Sequence, residues 1–309
     1  MKIKNQFFFI IAIYFSYSLI ACSADSDSVD DGYGISYYAE SGITHQSASV
    51  HDDYLFFVSG GRSVISLYDM KTKNFLCSLN LNGGKWNVYH SNQASFGVDY
   101  YTSDDYFPLL YISQFLNEDN RCFTEVFRII PSRDDNSMDI SSFDAKLVQK
   151  IYYPVMSESN SLGNVNTVID QENRLMYTYS RNNNQQDYNY GTCKISCFEI
   201  PDVHQKEVYL EDEDMIDSYM LPCSAINMQG GCIKNGKLYI GQGYYSAGYI
   251  YLNVVDLVSR QLEQRVNFMA RGFFEEPEGC FWYDGNLMIS TANGNIWRIE
   301  EIISNNKKN

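Results

Sequence analysis

Five polar side chains recur along this chain, each in a short phrase with a small residue and an apolar run. These residues are Gln46, Gln93, Asn166, Gln229 and Glu278. Amide groups both donate and accept hydrogen bonds, whereas an ionised carboxylate only accepts them. Brought together by folding, the five would form a polar site suited to a neutral hydroxylated or amide-bearing ligand, such as a glycan or a peptide fragment. The alternative is that they satisfy one another and buried water.

Catalysis at such a site would depend on Glu278, the single carboxylate of the set. Glu278 could act as an acid or base with His90 assisting, provided that both side chains reach the same proton. The 4 histidines, which include His45, show no HExxH or His-Cys spacing, so we predict no metal site and no cofactor. Nucleophile-elbow, nucleotide-binding and kinase motifs are also missing from the sequence. We therefore predict binding rather than catalysis.

The clearest phrases that contain these polar residues predict β-hairpins. Gln229 is followed by an apolar run, the turn Asn235-Gly236 and a second apolar run. Glu278 is followed in the same order by an apolar run, Asp284-Gly285 and another apolar run. Asn-Gly and Asp-Gly between apolar runs are strong hairpin signals because both turn residues tolerate positive φ. Similar phrases follow the other polar residues, and the one after Gln93 is looser because an extra loop interrupts it.

Five copies of a hairpin phrase predict an all-β chain folded as a single five-bladed β-propeller. The first and last intervals between copies suit a four-stranded blade of ~40–45 residues. The two longer intervals need inserted loops, and a six-bladed propeller that hides a further blade there is the alternative. The innermost strands of a propeller line its channel, so the five polar residues would converge at one end. The last copy is too short for four strands, and we predict that Gly34–Glu40 supplies its outer strand and closes the ring.

The N-terminal residues have the pattern of an export signal. Lys2 and Lys4 precede an apolar run that ends at Leu19-Ile20-Ala21-Cys22. This ending resembles the lipobox of bacterial lipoproteins, which implies cleavage before Cys22 and attachment of lipid to its thiol. A membrane-spanning helix is the alternative, but the run is short for ~20 apolar residues and serines interrupt it.

These patterns divide the chain into four parts. They are a lipoprotein signal peptide at 1–21, an acidic flexible tether at 22–33, the propeller at 34–303 and a disordered tail at 304–309. The acidic segment also resembles the tag that directs some lipoproteins to the outer face of the outer membrane. We predict a cell-envelope protein that is lipid-anchored to the outer membrane through Cys22, either periplasmic or surface-exposed.

The net charge bears on nucleic-acid binding, and the cysteine content bears on disulfide bonds. A formal net charge of −15 predicts no binding to nucleic acid, whose phosphates would repel the chain. An odd number of cysteines remains after Cys22, without a disulfide spacing pattern, so most are predicted to be small buried apolar residues. A bridge between Cys223 and Cys232 is left open.

The phrases MQGGCIKNGKLYIGQG and EPEGCFWYDGNLMIS resemble blades of secreted bacterial propellers of the glutamine-cyclotransferase-like and lactonase-like kind. The resemblance implies a propeller fold, and it implies a glutaminyl-cyclase-like, lactonase or lyase activity at the central channel as an alternative function. The cyclase group has acidic residues after these phrases, and the lactonases have several carboxylates on the axis. After these phrases this chain has apolar or small residues, and the predicted set on its axis contains one carboxylate. We therefore predict a non-catalytic envelope lipoprotein that binds a small polar ligand, a glycan, a peptide or a protein partner.

Overall fold

The structure is a computed structural model that describes residues 33–60, 64–81, 91–131, 143–155, 162–183 and 191–301. The prediction of an all-β fold is confirmed, because these residues form twenty-one strands in five sheets and three single-turn 3₁₀ segments. Across these ranges, no helix has the length and apolar character needed to cross a membrane. The predicted signal peptide, the tether before Tyr33, Cys22, His90 and the C-terminal tail lie outside the described residues.

Each sheet is one blade, and the first two blades come from the N-terminal half of the chain. Blade 1 contains β2 (Ser47–His51), β3 (Tyr54–Val58), β4 (Val64–Asp69) and β5 (Asn74–Asn80). Blade 2 contains β6 (Ser91–Phe96), β7 (Leu110–Glu118), β8 (Arg121–Pro131), β9 (Phe143–Tyr152) and β13 (Glu207–Tyr209). Its fifth strand, β13, pairs in parallel with β9 although it arrives from a later part of the chain.

The remaining three blades follow the same antiparallel order. Blade 3 contains β10 (Leu162–Asp170), β11 (Leu175–Asn182), β12 (Thr192–Glu199) and β14 (Met215–Ser224). Blade 4 contains β15 (Met228–Lys234), β16 (Lys237–Tyr244), β17 (Tyr249–Asp256) and β18 (Gln261–Asn267). Blade 5 contains β19 (Pro277–Tyr283), β20 (Asn286–Thr291), β21 (Asn295–Glu301) and β1 (Tyr33–Glu40).

The ring closes in the way the sequence predicts. Strand β1 pairs antiparallel with β21, from Tyr33 opposite Glu301 to Glu40 opposite Asn295. The inner strands β2, β6, β10, β15 and β19 each pack against the next, and β19 packs against β2. The five-bladed prediction is therefore confirmed over the six-bladed alternative. The long intervals are filled by the extended strands of blade 2 and by the excursion that forms β13.

The core lies between the blades rather than at the axis. Side chains alternate across each strand, so one face of a blade packs on the preceding blade and the other on the following blade. Five buried apolar clusters result, one at each of the five blade interfaces. Aromatic rings fill much of this volume, as at Phe56 and Phe96, whose ring centroids are 5.1 and 6.4 Å from that of Phe107 between blades 1 and 2. The blades are thereby held in a fixed ring.

The two ends of the ring differ in their connections. We call the end where the inner strands begin the upper end, and the end where they turn into the second strands the lower end. At the lower end, Asn235-Gly236 and Asp284-Gly285 have φ of 52°, 71°, 47° and 72°, as predicted for two-residue hairpin turns. The loops between blades lie at the upper end, where they surround the mouth of the channel.

Candidate functional site

A polar cavity of about 370 Å³ opens at the upper end of the axis. All five blades or their connecting loops contribute to it. Its lining residues are Gln46, Asn92, Asn166, Tyr179, Ser180, Arg181, Ala225, Ile226, Asn227, Met228, Gln229 and Glu276. This volume lies near the lower limit of ligand pockets, which span ≈ 300–1,000 Å³. A cavity of this kind accommodates one small polar group or ring.

Strand pairing aligns the five inner strands residue by residue and identifies the equivalent polar positions. The residues that face the opening leucine of each second strand are Val50, Phe96, Asp170, Ile233 and Trp282. Four positions before each of these stand Gln46, Asn92, Asn166, Gln229 and Glu278. Asn92, rather than Gln93, is thus the blade 2 member of the set. The predicted alignment was shifted by one residue there because the loop between β6 and β7 is long.

Irregular pairing at the upper end turns these side chains toward the axis. The ladder between inner and second strand shifts register between Ser91 and Gln93, Gly163 and Asn166, Met228 and Gly231, and Pro277 and Gly279. An extra residue in one strand bends it locally and redirects the side chain at the irregularity. Asn92, Gln229 and Glu278 all lie within these irregular steps. The same device therefore positions the polar residue in at least three blades.

The polar residues at this mouth form three side-chain pairs across blade boundaries. Gln46 Nε2 donates to Glu278 Oε1 at 3.0 Å, and Gln229 Nε2 donates to Glu276 Oε1 at 2.8 Å. Asn92 Nδ2 donates to Asn166 Oδ1 at 2.7 Å. Each pair leaves further donor or acceptor positions on its amide and carboxyl groups. The mouth therefore combines fixed donors and acceptors in one cavity.

Buried polar atoms at this end without a hydrogen-bond partner among the described residues include the hydroxyl of Ser180, which lines the cavity, and Oε2 of Glu278, whose Oε1 accepts from Gln46. Buried polar groups in proteins are almost always paired with protein or with ordered water. The Ser180 hydroxyl is therefore available to a ligand or to water inside the cavity, whereas Glu278 does not belong to the cavity lining.

The two carboxyl groups at the mouth have shifted pKa values. Burial raises the pKa of Glu278 well above its usual range, the negative charge of Glu276 raises it further, and the Gln46 hydrogen bond opposes the shift. Glu278 is 1% exposed. Burial also raises the pKa of the half-buried Glu276, against a hydrogen bond from Gln229. Of the two carboxyl groups, Glu278 therefore binds a proton more readily, and a protonated Glu278 can donate a hydrogen bond through Oε2.

The raised pKa of Glu278 predicts how the stability of Glu278→Gln depends on pH. The folded chain holds this proton more tightly than the unfolded chain. The contribution of Glu278 to the free energy of unfolding is therefore largest below the ordinary carboxyl pKa and is lost as pH rises toward the raised pKa. Glutamine keeps the Gln46 contact without titrating. We expect the variant to gain stability over the native chain by up to about 1.4 kcal/mol per pH unit above ~4.5.

Urea unfolding at pH 5, 6 and 7 measures this difference. Glu263→Gln, an exchange on the exposed side of blade 4, serves as the control and should give no comparable trend. A stability difference between Glu278→Gln and the native chain that stays constant with pH would contradict the assignment of the proton to Glu278.

Gln93 occupies the axis below the cavity instead of lining it. Its Nε2 donates to Gly231 O at 2.8 Å, and its Oε1 accepts from Gly231 N at 2.8 Å. Blade 2 and blade 4 are not neighbours, so this pair of hydrogen bonds crosses the centre of the ring. Tyr179 adds its hydroxyl at the same level, 3.4 Å from Gln93 Oε1, and donates to Gln229 O at 2.5 Å.

This crossing separates the upper cavity from a second cavity of about 230 Å³ at the lower end. Along the inner strand of blade 2, Asn92 lines the upper cavity and the lining of the lower cavity begins at Ala94. Along that of blade 4, Gln229 lines the upper cavity and the lining of the lower cavity begins at Gly231. The lower cavity is lined largely by apolar and aromatic side chains. The polar residues at the repeated position therefore lie on the upper side of this crossing, and the lower cavity has Ser49, Ser95, Gln171 and Lys234 as its polar lining residues.

The histidine next to Gln46, His45, has a structural role. His45 is buried, its Nδ1 donates to Ile43 O at 2.8 Å, and its Nε2 accepts from the hydroxyl of Ser290 at 2.8 Å. Burial lowers the pKa of His45 to about 4, against the opposing effect of the Ile43 carbonyl. His45 is therefore neutral and fully used near pH 7. His90 lies outside the described residues, so its predicted partnership with Glu278 stays a prediction.

The described ranges contain no group of three or more His, Cys, Asp or Glu residues arranged to hold a metal ion. Cys223 and Cys232, for which a bridge was left open, are both free thiols. Burial raises the pKa of both thiols, to about 11 at Cys223 and well above the usual range at Cys232. Neither cysteine lines the upper cavity, so neither thiol contributes to its chemistry.

Several cavity residues were not among those singled out from the sequence. Asn92 was missed because the alignment of blade 2 was shifted by one residue, and Glu276 stands two residues before the repeated polar position, which Glu278 occupies. Tyr179, Ser180 and Arg181 belong to the second strand of blade 3, where no repeated polar signal marks them. The run of three carboxylates around Pro277 was the one sequence signal that could have indicated Glu276.

Comparison with known proteins extends to fold alone. No protein-family model matches this chain, and no curated protein matches it. Among solved structures, a glutaminyl cyclase from Myxococcus xanthus has a TM-score of 0.50 at 9% identity, covering 87% of this chain and 95% of its own. A glucose dehydrogenase has a TM-score of 0.46 at 12% identity, covering 85% and 98%. BamB from Moraxella catarrhalis has a TM-score of 0.34 at 8% identity, covering 84% and 59%.

Proposed function

We propose that this chain is a non-catalytic binding protein of the bacterial cell envelope that holds a small polar ligand in the upper cavity. The observation that carries the proposal is the polar cavity at the upper end, whose lining includes the buried, unpartnered Ser180 hydroxyl. A ligand that reaches this hydroxyl would gain a hydrogen bond without displacing an existing protein contact. The anchoring part of the proposal rests on the lipobox-like sequence that ends at Cys22.

The chemistry of the lining favours a neutral ligand with hydroxyl or amide groups. Asn166 and Gln229 present amide groups, Glu276 presents a carboxylate, and Arg181 presents a guanidinium in the same cavity. Groups that both donate and accept, such as hydroxyls and amides, match a mixed lining of this kind. A ligand with one strong charge would be attracted by one of the two charged side chains, Arg181 or Glu276, and repelled by the other.

A ligand screen by thermal shift on the full-length chain tests the proposal. We expect a saturable rise in melting temperature with a hydroxylated or amide-bearing compound, lost in Asn166→Ala and in Glu276→Ala, because each removes one cavity contact worth about 1 kcal/mol or more. Gln171→Ala, which changes a lining residue of the lower cavity, is the matched control and should keep the shift. Labelling with a radioactive fatty acid tests the anchor, with Cys22→Ala as the unlabelled control.

Loss of the shift in the lower-cavity variant but not in the two upper-cavity variants would place the ligand elsewhere and overturn the proposal. Equal fatty-acid labelling of the native chain and Cys22→Ala would remove the anchoring part.

A second candidate is acid–base catalysis at the upper end of the axis, where Glu276 lines the cavity. The observation that favours it is the carboxyl pair Glu276 and Glu278, in which burial raises both pKa values and the charge of Glu276 raises the pKa of Glu278 further. Two carboxyl groups whose environments separate their pKa values can divide the roles of acid and base. The fold similarity to a glutaminyl cyclase adds no residue assignment at 9% identity. Turnover of a bound ligand by the native chain, abolished in Glu276→Gln while binding persists, would establish this candidate instead.

A further inference from the structure

The upper end of the ring carries two exposed rings in mutual contact and an exposed aliphatic side chain, which we together call the aromatic shelf. Its members are Tyr245, Phe274 and Ile226, which are 62%, 52% and 44% exposed. The rings of Tyr245 and Phe274 meet edge to face with centroids 5.8 Å apart. Large apolar side chains scattered singly on a surface are ordinary, whereas a group of them beside a cavity indicates a contact surface.

The strand order places the shelf at the same end of the ring as the cavity. Tyr245 follows the upper end of β16, Phe274 lies in the loop that leads into β19, and Ile226 lies in the loop that leads into β15. Ile226 lines the cavity itself, and Phe274 stands two residues before the cavity residue Glu276. The shelf therefore continues the cavity wall outward over blades 4 and 5.

A hydrogen bond fixes the wall between the cavity and the shelf loop. Asn227, a lining residue, donates from Nδ2 to the hydroxyl of Tyr249 at 2.8 Å, and Asn227 O accepts from Gly243 N at 2.8 Å. Gly243 and Tyr249 flank the loop that carries Tyr245. A ligand that extends from the cavity would thus pass onto a surface held in place rather than onto an independent loop.

Building on the proposed binding function, we infer that the ligand is the end of a saccharide chain of at least two units. One unit occupies the cavity, and the next lies on the aromatic shelf. A sugar ring has hydroxyl edges, which match the amide, hydroxyl and carboxyl groups of the cavity, and a C–H face, which matches an aromatic ring. The cavity volume of about 370 Å³ is enough for a sugar ring.

The same features disfavour an extended peptide as the occupant. Peptides that bind by main-chain hydrogen bonds add a strand to an open sheet edge. The lining named above consists of residues from the starts of inner strands, from the second strand of blade 3 and from connecting loops, and the inner strands pack against one another around the ring. The opposite charges of Arg181 and Glu276 in one cavity also suit neutral hydroxyl groups better than a charged terminus.

The experiment measures chain-length dependence by calorimetry on the full-length chain. The probes are monosaccharides to tetrasaccharides of β-1,4-linked glucose, α-1,4-linked glucose, β-1,4-linked N-acetylglucosamine and β-1,4-linked mannose. We expect one series to bind, with the disaccharide about tenfold tighter than its monosaccharide, since a stacking contact of roughly 1.4 kcal/mol corresponds to a factor of 10. The double variant with Tyr245→Ala and Phe274→Ala should lose this tenfold gain and leave the monosaccharide affinity unchanged.

Val258→Ala is the matched control, because Val258 is an 88% exposed apolar residue at the lower end of blade 4. It should leave every affinity unchanged. The inference is overturned if none of the four series binds, if affinity does not rise from one unit to two, or if the shelf variant keeps the gain. Tight binding of tetra-alanine or of phenylalanine-containing tetrapeptides in place of saccharides would also overturn it.

These failures remain distinct from a failure of the proposed function. A small polar ligand that is lost in Asn166→Ala but shows no chain-length gain keeps the binding function and removes the saccharide chain. Saccharide binding that is unaffected by Asn166→Ala and Glu276→Ala, yet lost in the shelf variant, would remove the cavity from the proposed function.

Discussion

Replacing Gln93 with leucine will lower the free energy of unfolding by about 2–6 kcal/mol. Leucine has a similar length but leaves the buried N–H and C=O of Gly231 without partners, and each such loss costs ~1–3 kcal/mol. The two hydrogen bonds cross the centre of the ring from blade 2 to blade 4, so no neighbouring strand can replace them. Urea unfolding measures the change, and the melting temperature should fall by on the order of 10 °C.

Gln93→Glu provides a graded control for this prediction. The carboxylate retains an acceptor for Gly231 N but loses the donor to Gly231 O, so an intermediate loss is expected at pH 7. Its stability relative to the native chain should recover as pH falls, because the protonated acid can donate again. Identical unfolding of Gln93→Leu and the native chain would show that the crossing adds nothing to stability.

Gly230→Ala will destabilise the ring by about 3 kcal/mol or more, since overpacking of a filled core costs ~1–3 kcal/mol and occasionally more. A Cβ at this position would lie 2.4 Å from Glu278 O and 2.7 Å from Gly279 Cα. Both are backbone atoms of the neighbouring inner strand, so relief requires moving β15 and β19 apart. The small residues predicted after the polar positions serve this close approach. Chemical unfolding of the variant measures the loss.

Gly285→Ala is the matched control for this exchange. Gly285 has φ of 72°, and a Cβ added there would meet no heavy atom within 4 Å. Alanine at this position therefore incurs the left-handed backbone penalty of ~1–2 kcal/mol without a clash. Equal losses in the two variants would mean that the axis tolerates the added methyl group. A larger loss at Gly230 than at Gly285 isolates the crowding between inner strands.

The fold was predictable because its repeat is local. Each hairpin phrase carries its own turn residues and alternating apolar side chains, so Asn235-Gly236 and Asp284-Gly285 indicate a blade without knowledge of the others. Closure by Gly34–Glu40 followed from the shortage of residues in the last copy. Strand β13 was not predicted, because its pairing with β9 depends on a surface that only the folded blade 2 presents.

The site was predictable in part, and the misses have a common reason. Gln46, Asn166 and Gln229 line the cavity because they stand at the repeated position, and Glu278, at the same position, is hydrogen-bonded to Gln46. Asn92 was displaced by one residue, since a count back from β7 passes through the long β6–β7 loop. Residues that reach the cavity from second strands or from connecting loops have no counterpart in the repeat. Their convergence is a property of the closed ring and not of any one phrase.

The direction of the closing strand determines which end of the ring the preceding N-terminal segment joins. Strand β1 begins at Tyr33 beside Glu301, at the lower end of blade 5, and runs to Glu40 at the upper end. Residues 23–32, which span at most roughly 35 Å, therefore join the ring from below. With lipid on Cys22 as proposed, the turn-bearing lower face would look toward the bilayer. The polar mouth and its shelf would then point outward, where a long polymer can approach them without meeting the membrane.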